Sequence, residues 1–86
     1  MIEFRIRSTS IEILEFLILR AIETGSFKIS FTNEEILQKI NNLDLEKLSL
    51  CLSYLYDSEL LNFERKGPND SRFVKITSKA VDMIES

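Results

Sequence analysis

Read from the N-terminus, the chain changes its hydrophobic period several times, and each change marks an element. Ile2-Glu3-Phe4-Arg5-Ile6-Arg7 alternates apolar and charged residues, the period-two pattern of a half-buried strand, so an N-terminal strand is expected over residues 1–7. From Ser10 to Thr24 the period becomes helical, with Ile11, Leu14, Leu17, Ile18 and Ala21 on one stripe. Ser8-Thr9-Ser10 with Glu12 offers a capping box at its start, and Gly25 offers a left-handed stop. Phe27-Lys28-Ile29 alternates again and reads as a very short strand. In Phe31-Thr32-Asn33-Glu34-Glu35-Ile36, Thr32 and Glu35 have the spacing of a capping box, and Phe31 and Ile36 that of a hydrophobic staple. A second helix therefore starts at Asn33, buries Ile36, Leu37 and Ile40, and stops near Asn41-Asn42. Asp44 caps a third helix that runs to Asp57. Two strand-like runs, Asn62–Lys66 and Arg72–Thr77, flank Gly67-Pro68-Asn69-Asp70 and predict a hairpin. Thr77 caps a last helix from Ser78 to Glu85, with Ala80, Met83 and Ile84 facing inward.

The order is strand, helix, short strand, helix, helix, hairpin, helix. A helix pair joined by a four-residue turn and followed at once by a hairpin resembles the winged helix-turn-helix fold, over roughly residues 10–86. Leu55-Tyr56-Asp57-Ser58-Glu59-Leu60-Leu61 resembles the L-x-x-x-G-L-I lead-in to the wing of MarR- and PadR-like regulators, and Ile76-Thr77-Ser78-Lys79-Ala80 resembles their L-T-x-K-G exit. Glu59 and Ala80 stand where both glycines would be, so Glu59 is expected to take a left-handed conformation at a small steric cost. The resemblance implies a single α+β winged-helix domain over residues 1–86. It would have the extra strand at 1–7, three helices within 10–57, a wing hairpin over 60–77 and a C-terminal helix over 78–86. It also implies a double-stranded DNA partner and a role in transcription regulation.

Composition narrows the function. Eighty-six residues make one domain, and 44% apolar with 29% charged residues is a globular balance. Glu15 and Arg20 interrupt the most apolar segment, and Glu3, Arg5 and Arg7 break any signal-like start, so a cytoplasmic protein without a membrane span is expected. There is no histidine, one cysteine and no phosphate-cradling glycine loop, which points away from an enzyme, a metal site or a cofactor. Cys51 falls on the inward side of the third helix and reads as a buried thiol. Glu34 and Glu35 sit in a first helical turn, where the dipole favours acids.

Charge is uneven. The formal net charge of -3 does not favour phosphates, yet Arg65, Lys66, Arg72, Lys75 and Lys79 cluster in one segment against Asp70 alone. Pairing Leu61 with Ile76 and Phe63 with Val74 puts these four inward and Arg65 directly across from Arg72, where a phosphate would relieve the repulsion. On the third helix, Leu45, Leu48, Leu52 and Leu55 form the core stripe, flanked by Cys51 and Tyr56. The opposite face carries Glu46, Leu50, Ser53 and Asp57, with Ser49, Lys47 and Tyr54 beside it. The candidate DNA-binding residues are thus Lys47, Ser49, Ser53, Tyr54, Arg65, Lys66 and Arg72. Phe16 and Leu19 lie opposite the core stripe of the first helix and need a cover, from the Ile2-Phe4-Ile6 stripe or from a second chain. A homodimer is expected, with Ile2, Phe4, Ile6, Phe16, Leu19 and Leu50 as candidate protein-interface residues. Two readings stand: a small dimeric DNA-binding regulator gripping the backbone with its wing, and a winged-helix protein-interaction module of mobile-element or phage type that binds no DNA.

Overall fold

The computed structural model describes residues 4–86. They form four helices and one small antiparallel sheet, an α+β architecture: α1 (Ile6–Thr24), β1 (Lys28–Thr32), α2 (Asn33–Lys39), α3 (Leu45–Asp57), β2 (Leu61–Lys66), β3 (Ser71–Ile76) and α4 (Ser78–Glu85). The strand order is β1-β3-β2, so the hairpin's second strand is central and β1 closes its free edge. Among the described residues no helix is long and apolar enough to cross a membrane.

Residues 4–7 are not a strand. Ile6 and Arg7 belong to α1, whose N-cap is Arg5, with no side-chain cap bond; Ile2 lies outside the described residues. Six alternating residues are too few to exclude a helix, because Ile6, Ser10, Ile13, Leu14 and Leu17 also share a helical face. The capping box expected at Thr9 is likewise absent. The Thr9 N–H donates to the Arg5 carbonyl at 3.1 Å, so Thr9 is already inside the helix. Ser10 is buried, and its hydroxyl donates to the Cys51 carbonyl of α3 at 3.4 Å. Gly25 ends α1 at φ 73°, its N–H bonded to the Ala21 carbonyl.

α1 is the central beam of the core. Ile13, Leu14, Leu17, Ile18 and Ala21 are buried against α3, β1 and α4, while Ile11, expected in the stripe, is only half-buried. It stands roughly 90° round the helix from the centre of the buried face. α2 starts as its sequence dictates. Thr32 accepts from the Glu35 N–H, the Glu35 carboxylate accepts from the Thr32 N–H, and Phe31 and Ile36 are both buried. Leu37 and Ile40 are half-buried on the same core. In α3, Leu48, Cys51, Leu52 and Leu55 are buried, but Leu45 is 57% exposed. It follows the Asp44 cap directly, at the end of the helix and roughly 70° off the buried axis.

The turn out of α3 is a Schellman motif closed on a non-glycine residue. The Glu59 N–H donates to Tyr56 O and the Leu60 N–H to Leu55 O, with Glu59 at φ 62°. Thr77 then ties the return strand to this turn, its hydroxyl donating to Glu59 O at 2.8 Å while its oxygen caps α4. As expected from the sequence, Ala80 is buried and Met83 and Ile84 pack on the core.

Candidate nucleic-acid interface

The hairpin holds the expected register for only half its length. Leu61 faces Ile76 and Phe63 faces Val74, but a bulge at Glu64 then shifts the ladder by one, so Arg65 faces Phe73 and Lys66 faces Arg72. The expected Arg65–Arg72 pair therefore does not form. A one-residue shift sends every later side chain to the other face of the sheet. Lys66 joins Arg72 on the face towards α3, and Arg65 goes to the outer face, its guanidinium 3.9 Å from the centroid of the Phe73 ring. At the tip, Asn69 and Asp70 both have positive φ and the Ser71 N–H donates to Pro68 O, the pattern of a type I′ turn that suits strand twist.

Between α3 and the β2–β3 hairpin lies an open groove lined by Ser49, Leu52, Ser53, Tyr56, Phe63, Lys66 and Arg72. Ser49, Ser53 and Tyr56 recur at helical spacing and point one polar row of α3 at the hairpin. Lys66 and Arg72 face each other across the ladder from the other wall. No carboxylate lines this groove, and among the described residues the one ion pair is Arg20–Glu35, between α1 and α2. Phe63 keeps the inward face of the sheet opposite Val74, as the alternation implied, but is 47% exposed there. It stands edge-on to Tyr56, ring centroids 6.1 Å apart, and forms part of the groove.

The Tyr56 hydroxyl is buried and has no hydrogen-bond partner. Burial pushes its phenol above the ordinary range, and the Arg72 guanidinium beside it draws it partly back. An unmatched buried donor of this kind costs stability unless a ligand or water completes it. Tyr56 and Phe63 were hidden in the sequence because both read as core positions.

Of the candidate DNA-binding residues, the groove gathers Ser49, Ser53, Lys66 and Arg72 and leaves out the other three. Lys47 lies on another side of α3, with its ammonium 5.3 Å from the centroid of Phe4. Tyr54 is half-buried against the core, and Arg65 is on the outer face of the sheet. The candidate interface residues are also scattered. Phe4 and Phe16 are half-buried against the core, with the Arg20 guanidinium 5.2 Å from the Phe16 centroid. Ile6, Leu19 and Leu50 are 38%, 59% and 53% exposed. Two exposed apolar residues not singled out from the sequence, Ile22 at 68% and Phe27 at 51%, border an apolar groove between α1, Gly25 and Val81 of α4. Cys51 is fully buried, and burial pushes its thiol up.

Comparison with protein-family models, with curated proteins and with solved structures gave no match in any of the three.

Proposed function

We propose that this chain is a small winged-helix DNA-binding protein that acts on transcription. On this reading α2 and α3 are the helix-turn-helix, β2 and β3 the wing, and the groove between α3 and the wing holds a phosphate backbone. The observation that carries it is the Lys66–Arg72 pair, two cations opposed across a ladder with no acid in the groove. Opposed like charges destabilise a sheet, and a phosphate between them removes that cost. Ser49, Ser53 and the unpartnered Tyr56 hydroxyl are the neutral donors beside it. Lys47, Tyr54 and Arg65 lie outside the proposed contact.

A direct test is fluorescence anisotropy of a labelled duplex with the protein and with Ser53→Glu, which places a carboxylate in the groove. The parent binds at low salt, and Ser53→Glu loses that binding while its thermal midpoint is retained. Equal binding by both would overturn the reading. One specific observation favours the alternative, a protein-interaction module: Leu50 is exposed between Glu46 and the acidic end of α3, an apolar spot with acidic neighbours. A parent that ignores DNA even at low salt makes this the better reading.

We keep the homodimer as part of the proposal, with its apolar face moved. Phe4 packs on the core and Ile6 lies in α1, so the apolar face of the proposed dimer is Leu19, Ile22 and Phe27, exposed at the C-terminal half of α1 and the turn beyond.

A further inference from the structure

The face of the sheet turned away from α3 carries its own set of cations. Antiparallel partners share a face, so the register lays out two outer rows: Lys28, Lys75 and Asn62, then Ser30, Phe73 and Arg65. Two residues of strand separate the rows, about 7 Å. Lys28 and Lys75 are directly opposed and both exposed, and neither has an ion-pair partner among the described residues. Arg65 is fixed differently. Its guanidinium lies over Phe73, and the ring is held at its edge by Gly67, where an added Cβ would come within 2.6 Å of it. The guanidinium is thus backed by an aromatic ring, and the Arg65 side chain is otherwise exposed. Glu64 is the one carboxylate lining the shallow groove at Arg65 and Phe73, beside Arg20, Thr24 and Lys28. Arg20 is already engaged with Glu35 and with the Ser30 carbonyl.

We propose that this outer face is a second nucleic-acid surface, separate from the α3 groove, and that it takes a single strand. Lys28 and Lys75 hold phosphate oxygens, and an unpaired base stacks on the open face of Arg65, extending the Phe73–Arg65 stack by one plane. Guanidinium planes are recognised partners for splayed-out bases. A base inside a duplex has both faces covered by its neighbours and cannot use this plane, which is why the surface selects an unpaired strand. An acidic peptide would use the lysines but leave the stack idle.

The test is anisotropy with a labelled oligothymidine, between about 50 and about 200 mM salt. Lys28→Ala with Lys75→Ala weakens binding and makes the salt dependence shallower by about 1.4, two single-strand phosphate contacts. Arg65→Lys keeps the charge, loses the plane and weakens binding by at least about fivefold. Glu64→Gln strengthens it. Lys66→Ala with Arg72→Ala, on the opposite face, changes it by less than about twofold, which separates this surface from the α3 groove. All of these positions are exposed or half-buried, and a retained thermal midpoint checks each variant. No binding of the oligothymidine at the lower salt, equal competition by polyglutamate, or loss in the Lys66/Arg72 variant alone would overturn the proposal.

Discussion

Arg20 and Glu35 form an ion pair that fastens α1 to the first turn of α2. The same guanidinium donates to Ser30 O at 2.9 Å, and the same carboxylate accepts from the Thr32 N–H at 3.0 Å and from its hydroxyl at 3.2 Å. The pair therefore joins helix, strand and cap. The Arg20 hydrogen bond holds the Glu35 pKa below the usual range, burial opposes this, and the bonds from Thr32 add to the lowering. A depressed folded value means that the stabilisation is complete above about pH 4.3 and is lost as pH falls through the lower, folded value. The pair is partly exposed, so screening limits its contribution to about 1 kcal/mol or less. Urea midpoints for the parent and Glu35→Gln should differ at neutral pH and converge in acid. A difference independent of pH would show that the carboxylate's charge is not what matters.

Thr32, the last residue of β1, is the partner in that cap. Thr32→Ala removes the acceptor for the Glu35 N–H and should cost about 0.5–2 kcal/mol of stability. An unchanged denaturation midpoint would mean that the cap carries nothing.

Glu59 invites the opposite change. It occupies the left-handed position at φ 62° that closes α3, where a side chain is strained and glycine is not. Glu59→Gly should raise stability by about 0.5–1 kcal/mol, read as a higher urea midpoint with the same slope. A lower midpoint would show that the Glu59 side chain contributes more than its backbone strain costs.

The positions most legible in the sequence were those where local chemistry acts alone. The Thr32–Glu35 box, the Phe31–Ile36 pair, the Asp44 and Thr77 caps and the strain at Glu59 all follow from residues within a few positions of each other. The errors arose where two elements compete for one residue. Ile6 fits a strand or a helix by period alone, and only its continuity with the buried Ser10 and Ile13 makes it helical. The bulge at Glu64 has no glycine or proline to announce it, so the outward turn of Arg65 and the Lys66–Arg72 pairing could not be read from alternation. Tyr56 and Phe63 looked like core residues because groove and core share the same helical and strand spacing.

Leu19, Ile22 and Phe27 bear on self-association. Light scattering should give a dimer at high micromolar concentration, and Ile22→Glu should yield the monomer, because a charge on a buried interface lacks a partner. A parent that is monomeric at that concentration would rule out the proposed dimer.

Lys66 and Arg72 are proposed to hold a DNA backbone in the groove beside α3, and the salt dependence of duplex binding reads that contact. Each phosphate contact on a duplex contributes about 0.9 to the slope of log affinity against log salt. Lys66→Ala with Arg72→Ala should therefore make the slope shallower by about 1.8 and nearly abolish binding at moderate salt, with the fold intact. A double variant that binds duplex with the parent's affinity and slope would contradict the claim.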